Sequence, residues 1–330
     1  MKVTLEYIAR IAGVSKATVS RVLNNSPVGV SEETRRRVQE VIKSANYELG
    51  RSGNSMRSHN IALVLPDISN PFFSGLAKTI EAEAYKYNYY LLLLNTEFSE
   101  KKEREIISRI SSKSIDGIIL VASGNTANYW HFIPQKNGVS MILLDRKLGG
   151  CHSFSGVYSD TEYAAFKSCE TMISHGSTRI AFIGGTQGTS TSAERLNGYK
   201  DALKHYGVAY NADLVCAGNY TFESGYSAIK KLVHSKVEFS AILAANDLMA
   251  LGAIRALKEL NIKIPEDVEI IGFDNISYAS LCEPALSTYQ QPITEMGMLA
   301  VDGLLKLING QEEIRDQRLR PRLLLRGSTK

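Results

Sequence analysis

Beyond residue 60 the chain alternates short, wholly apolar runs with longer amphipathic ones, and no other feature restricts its fold as strongly. Runs such as IALVL at 61–65 or YLLLL at 90–94 lack polar alternation, so both faces of the strand they form need cover. Helices wrapped around a parallel sheet supply that cover. Strands are predicted at 61–65, 90–94, 117–121 and 141–144, with helices near 73–87, 101–112 and 128–136. A second set follows, with strands at 180–183, 214–217, 241–244 and 269–272 and helices near 163–174, 193–206, 224–233 and 248–260. Two such sets imply two doubly wound lobes facing one another, with a ligand in the space between them.

The first 60 residues follow a different rule. Thr4 offers an N-cap oxygen, Leu5, Ile8, Ala9 and Ala12 repeat at helical spacing, and Gly13 stops the helix. Ser15 caps a second helix, in which Ala17, Thr18 and Arg21 point away from Val14, Val19, Val22 and Leu23. Ser31, followed by Glu32 and Glu33, starts a third. One face of this headpiece packs and the other suits a DNA groove. Charge separates in the same place. Residues 1–60 carry ten Lys/Arg against five Asp/Glu, a net +5, whereas residues 61–330 carry 28 against 29. A basic surplus confined to the headpiece is what phosphate contact requires.

Several classes are excluded or disfavoured. A length of 330 residues calls for more than one domain. No run of about 18 apolar residues occurs and the amino terminus lacks a signal-peptide centre, so a cytoplasmic protein without membrane contact is expected. Cys151, Cys169, Cys216 and Cys282 form no CxxC pair, and the six histidines lack ligand spacing, so no metal is expected. Gly184-Gly185-Thr186-Gln187-Gly188 lacks the Lys-Ser/Thr ending of a phosphate loop and reads as a turn. No cofactor fingerprint and no catalytic arrangement stands out, and an enzyme is not expected.

Ligands of open parallel sheets sit at the carboxyl ends of the strands, and here those ends are polar or aromatic. They carry Asp67, Asn70, Phe72 and Phe73, then Asn95, Asp145, Arg146 and Asp160, and in the second set Arg195, Tyr220, Phe222, Asn246, Asp247, Asp274, Asn275 and Gln291. Carboxylates, amides and guanidinium groups match the donors and acceptors of hydroxyls, and aromatic rings cover the apolar face of a sugar ring. Competing roles exist for each: helix capping for Asp160 and Asp247, core packing for Phe72 and Phe73, a local ion pair for Asp145 and Arg146.

The chain resembles the lac repressor family of bacterial transcription regulators. The resemblance rests on Thr4, Ala9, Gly13-Val14-Ser15 and Thr18-Val19-Ser20-Arg21-Val22-Leu23-Asn24, then on Asn70-Pro71-Phe72-Phe73, Asp116-Gly117, Asp145-Arg146, Asn246-Asp247, Gly272-Phe273-Asp274 and Gln291-Pro292. It implies an α/β protein with a three-helix helix-turn-helix headpiece at 1–47 and a hinge at 48–60. Residues 61–330 would be a periplasmic-binding-protein-like core of two doubly wound parallel-sheet lobes. The N-lobe would take about 61–160 and 291–320, the C-lobe about 161–290 and 321–330. By the same resemblance Lys16, Ala17 and Arg21 read bases, while Thr4, Ser15, Thr18, Ser20 and Asn24 hold phosphates.

The hinge departs from the family pattern. Leu49 replaces a proline, Gly53-Asn54 replaces Ala-Arg, and Met56 replaces the leucine inserted into the minor groove. Gly50 and Gly53 each raise the cost of a hinge helix by about 1 kcal/mol relative to alanine, and Met56 remains a usable wedge.

The core set is similar to that of periplasmic ribose-binding proteins, with effector-binding roles implied for Asn70, Phe72, Phe73, Asp145, Arg146, Arg195, Tyr220, Asn246, Asp274 and Gln291. Tyr220 stands in place of a phenylalanine. The implied partners are a palindromic operator with half-sites about 34–36 Å apart, a ribose-like monosaccharide and a second copy of the chain. Release of the operator by sugar is expected. The tail from Arg318 to Lys330 reads as a last strand without heptads, so a coiled-coil tetramer is not expected. Two other readings remain: a global carbon-catabolite regulator answering a phosphorylated partner protein, and a transported sugar-binding protein that does not bind DNA.

Overall fold

The computed structural model describes residues 5–23, 30–44, 57–110, 114–124, 139–149, 154–311 and 314–330. Thr4, Asn24, Met56, most of the predicted hinge and the helix predicted at 128–136 lie outside the described residues. The chain divides into two compact units, Met1–Arg57 and Ser58–Lys330.

The first unit holds helices α1 (Leu5–Ala12), α2 (Lys16–Leu23) and α3 (Glu32–Ser44). Gly13 at φ +64° ends α1 in a Schellman turn: the Val14 amide donates to the Ala9 carbonyl at 3.0 Å and the Gly13 amide to Arg10 at 3.3 Å. The Thr18 amide donates to Ser15 Oγ at 3.1 Å, and the Thr34 amide to Ser31 Oγ at 3.3 Å, so each serine caps the helix it precedes. Ile8, Ala9, Ala12, Val19, Val22 and Val38 form the small core.

The second unit is built on two six-stranded sheets. The N-lobe contributes β1 (Asn60–Leu65), α4 (Pro71–Lys86), β2 (Tyr90–Asn95), α5 (Glu100–Arg109), β3 (Gly117–Leu120), β4 (Ser140–Leu144) and β5 (Gly156–Ser159). The C-lobe follows with α6 (Thr161–Ser174), β6 (Ile180–Ile183), α7 (Ser190–His205), a 3₁₀ turn at Ala212–Leu214, β7 (Val215–Cys216), α8 (Phe222–His234), β8 (Ala241–Ala244), α9 (Asp247–Glu259), β9 (Glu269–Asp274), α10 (Ser277–Leu281) and β10 (Ser287–Gln290). The chain ends with α11 (Ile293–Ile308), β11 (Gln317–Leu319) and β12 (Arg322–Leu324). The sheets run β11-β5-β4-β3-β1-β2 and β12-β10-β9-β8-β6-β7, parallel except where β12 meets β10. Ile61, Leu63 and Leu65 enter one core while Ala62 and Val64 enter the core on the opposite face, the two-sided burial that the apolar runs demand.

The chain passes between the lobes at three places: from β5 to α6 at residue 160, from β10 to α11 at 291–292, and from β11 to β12 at 320–321. The predicted single last strand is therefore corrected. The tail makes two short strands, one in each sheet, broken at Arg320-Pro321, where proline withholds a ladder donor. Strands β5 and β10 and helices α10 and α11 were not predicted.

Asp116 clamps the entry to this unit, accepting from the Ser58 amide and hydroxyl at 2.9 Å and from the His59 amide at 3.1 Å. Among the described residues no helix is long and apolar enough to cross a membrane. Helices α8 and α9 pack backbone to backbone. A Cβ on Gly252 would stand 2.0 Å from the Phe222 carbonyl oxygen, and one on Gly225 2.0 Å from that of Met249. Gly252→Ala should therefore destabilise the protein by about 1–3 kcal/mol, the cost of overpacking, in urea denaturation.

Candidate functional site

Two surfaces match the residue types singled out in the sequence. On the headpiece, Ser15, Lys16, Ala17 and Arg21 are exposed, and Thr18 and Ser20 are half-buried. Lys16, Ala17, Ser20 and Arg21 fall at i, i+1, i+4 and i+5, one face of α2, opposite buried Val19 and Val22. The Lys16 ammonium rests on exposed Glu6 at 2.7 Å, a contact that an incoming phosphate can replace at little cost.

The second surface is a narrow, nearly closed cavity between the lobes. All ten effector residues expected from the sequence line it, together with Thr191 and Ala245, which sequence reasoning missed. The N-lobe supplies Asn70, Phe72, Phe73, Asp145 and Arg146, the C-lobe supplies Thr191, Arg195, Tyr220, Ala245, Asn246 and Asp274, and Gln291 lies on the second crossover. Asp145, Tyr220 and Asp274 hold positive φ values of 64°, 68° and 113°. Such backbones cost of order 1–3 kcal/mol each and persist where the surroundings impose them.

Several of these residues perform two tasks. Asn70 and Asn246 use their carboxamide oxygens to cap α4 and α9, accepting from the Phe72 and Met249 amides at 3.0 Å. Asn246 also donates to the Tyr220 carbonyl at 3.0 Å, which ties two C-lobe loops together. Phe72 and Phe73 meet edge to face at 5.0 Å and are at once core and cavity wall. Asp145 and Arg146 do form the local pair, at 3.7 Å, inside the cavity wall. Arg195 lies in the second turn of α7, after Thr189 has capped it, and its guanidinium stacks on buried Phe273 at 4.1 Å.

Other strand-end residues stay out of the cavity wall. Asp160 caps α6 and pairs with Arg318 at 3.0 Å. Asp67 accepts from Ser69, Asn95 from the Ile68 amide and Asn275 from Arg326. Phe222 is partly exposed at the start of α8. Asp247 does not cap its helix. It is buried, accepting from Thr288 Oγ1 at 2.6 Å and the Ile276 amide at 2.9 Å, and burial pushes its carboxyl up to about 7.

The electrostatics of the cavity are balanced. Burial raises the Asp145 carboxyl, opposed first by Arg146 and then by Arg195, and raises Asp274 well above the usual carboxylate range, opposed by Arg195. Two carboxyl groups and two guanidinium groups thus share the cavity wall. Gln291 Nε2 donates to Asp274 Oδ1 at 2.8 Å. Asp145 Oδ1, Arg146 Nε, Arg195 Nε and Gln291 Oε1 are buried without a hydrogen-bond partner. Buried polar atoms are ordinarily paired, so these two donors and two acceptors on cavity-lining residues are hydrogen bonds that hydroxyl groups can complete. A wider groove follows the second and third crossovers and shares Asp274 and Gln291 with the cavity.

Behind Arg146 lies a buried carboxyl. Glu103 on α5 accepts from the Ser123 amide at 2.7 Å, and Arg146 donates to the adjacent Ala122 carbonyl at 3.0 Å. Burial is the largest influence on Glu103 and raises it to about 7. The folded protein therefore binds this proton more tightly than the unfolded chain, and stability falls as pH rises from about 4.5 to about 7. Glu103→Gln, which keeps the acceptor and removes the charge, should match wild type near pH 4 and exceed it by up to about 3 kcal/mol above pH 7, read by urea denaturation across that range.

The fold and this cavity define a class: a DNA-binding transcriptional regulator that carries a periplasmic-binding-protein-like core. Residues 4–48 match the family model of bacterial regulatory proteins, lacI family, and residues 169–329 match a periplasmic binding protein-like domain. Catabolite control protein A of Priestia megaterium is 34% identical over 94% of this chain and 93% of its own length. The HTH-type transcriptional repressor CytR of Escherichia coli strain K12 is 33% identical over 99% and 96%. Among solved structures, a CelR–cellobiose complex superposes with a TM-score of 0.76 at 30% identity, over 99% of this chain and all of that one. A LacI-family regulator from Enterococcus faecium with bound ribose gives 0.74 at 29%, over 82% and 98%. The chain belongs to the lacI family of bacterial transcriptional regulators.

Proposed function

We propose that this regulator is a homodimeric repressor of a sugar-utilisation operon and that a neutral monosaccharide, ribose or a close relative, bound between the lobes releases it from a palindromic operator. The observation that carries the reading is the set of four unpartnered donors and acceptors on residues that line one narrow cleft. Phe72 and Phe73 offer rings to the apolar face of a sugar. The ribose bound by the Enterococcus faecium relative supports the same class.

Sugar held by groups from both lobes stabilises the closed arrangement of a core whose lobes are covalently joined by three short crossovers. Coupling to DNA is then the difference in operator affinity between open and closed dimers, and it is reciprocal. An apolar surface along the edge strand β2 and the end of α4 supports a second copy as partner: Tyr85, Tyr87, Tyr90, Leu92 and Leu93 are all exposed. On the headpiece, Lys16 and Arg21 carry donors for guanine and Ala17 offers a methyl to thymine, while Ser15, Thr18 and Ser20 suit phosphates. Thr4, Asn24 and Met56 keep the DNA roles given by resemblance.

Similarity to catabolite control protein A favours a second reading, in which a phosphorylated protein is the signal. Calorimetric titration of the full-length protein with a monosaccharide panel separates the two: heat and saturation with ribose or a near relative are expected, and no binding to any sugar would turn the assignment to a protein partner. Arg195→Ala should weaken sugar binding about 10–100-fold, the loss of charged hydrogen bonds, while leaving sugar-free operator affinity unchanged in anisotropy titrations. Operator affinity should fall when sugar is added, and a rise would make the sugar a corepressor. Arg21→Ala should cost about 1–3 kcal/mol on the operator and little on random DNA, measured as the ratio of the two affinities at fixed salt.

A further inference from the structure

The two edges of the core are not equivalent. All three crossovers lie at the edge of the sheets where β11, β5, β10 and β12 stand, and the opposite edge is formed by β2 in the N-lobe and β7 in the C-lobe. No covalent connection joins the lobes there. An aromatic pair bridges them there: Phe98, just beyond β2, stacks on Tyr220, just beyond β7, with ring centroids 6.3 Å apart and planes at 14°. Phe98 belongs to the N-lobe by sequence yet packs against the hydrophobic core of the C-lobe.

The segment carrying Phe98 is held firmly from behind. Thr96 is fully buried, its amide and hydroxyl donating to the Leu65 carbonyl at 2.9 and 3.2 Å, and its hydroxyl lies 2.6 Å from that of Ser123. Glu97 and Phe98 both take a positive φ of 56°, which turns the ring out of the strand direction, and Ser99 caps α5 immediately afterwards. The ring is thus presented across the cleft by a backbone that has little freedom. Arg146, a cavity wall residue, has its guanidinium carbon 5.5 Å from the centroids of both Phe98 and Tyr220.

We infer that Phe98 is a specificity-determining residue of the effector site, a latch that closes the cleft at its unhinged edge and limits the ligand to one sugar ring. This rests on the reading of the cavity as a monosaccharide site. A ligand enters between lobes that are hinged at one edge, so the opposite edge is the mouth, and the Phe98–Tyr220 stack stands across it. A second ring attached to the sugar would have to occupy the place of that stack. Phe98 also deepens the apolar surround of Arg146, which strengthens hydrogen bonds from the guanidinium to the sugar by excluding water.

The test uses full-length wild type, Phe98→Ala and Phe98→Leu, titrated by calorimetry with ribose, other monosaccharides and cellobiose. Dissociation rates are followed by stopped flow. Wild type should bind a monosaccharide and reject the disaccharide. Phe98→Ala should release the monosaccharide about tenfold faster, the scale of a lost aromatic pair, and should bind cellobiose; Phe98→Leu should fall between them. Unchanged release together with continued rejection of cellobiose by Phe98→Ala would overturn the latch, as would cellobiose binding by wild type equal to that of the monosaccharide. A ligand-independent readout separates this failure from failure of the effector reading. In the sugar-free protein, amide hydrogen exchange over residues 215–224 should quicken in Phe98→Ala if the stack closes the mouth, even if no sugar binds, and unchanged exchange there would refute the latch by itself.

Discussion

The structure turns on placing four charged side chains, Asp145, Arg146, Arg195 and Asp274, in a space that is almost free of water. Charges so buried are costly unless they face one another. Asp145 and Arg146 follow β4 in the N-lobe, whereas Arg195 on α7 and Asp274 at the end of β9 belong to the C-lobe, so their compensation requires the lobes to face each other. Remaining hydrogen-bonding capacity is left over on both sides of the cleft. On the proposed reading, a ligand that offers hydroxyl donors and acceptors to both sides completes the set and favours closure, the thermodynamic link between recognition and motion.

The surrounding fold keeps these groups in position by using them structurally as well. Asn70 and Asn246 cap helices with one end of the carboxamide, Phe72 and Phe73 belong to the N-lobe core, and Arg195 is held flat by Phe273. Behind the wall stand buried acids that touch no cavity space themselves, Glu103 beneath the Ser123 loop and Asp247 beneath the turn at Ile276. Each fixes a loop by accepting its backbone amide, at the expense of a proton affinity raised by burial. The wall is held locally by these bonds, while the covalent connection between the lobes is confined to three crossovers.

Much of this was legible in the residues. The apolar runs located both sheets because a strand buried on two faces has no polar residue to spare. The ten candidate ligand residues met in one cavity because the carboxyl ends of parallel strands share an edge. Helix starts were misplaced by one to three residues, at 71 rather than 73, 161 rather than 163 and 190 rather than 193, because the caps Asn70, Asp160 and Thr189 were weighed as ligands or passed over. Asp247 and Asn246 illustrate the limit. Either could cap the helix, and only packing against Thr288 and Ile276, over 25 residues away, sends Asp247 inward. Thr191 and Ala245 carry no local signal at all and line the cavity only through the approach of the other lobe.

The sequence by itself determined the class of the protein: a basic helix-turn-helix tip, a core of two doubly wound sheets, and the kinds of side chain at the strand ends. Those are matters of local periodicity, capping and charge, which depend on neighbours along the chain. Tertiary structure decided where the tail goes, splitting it between the sheets so that the chain crosses three times, and which strand-end residues face a shared space. It also decided that Phe98, separated from Tyr220 by 122 positions in the sequence, meets it across the cleft. Contacts of that range depend on how the two lobes close on one another, and no spacing within either lobe encodes it.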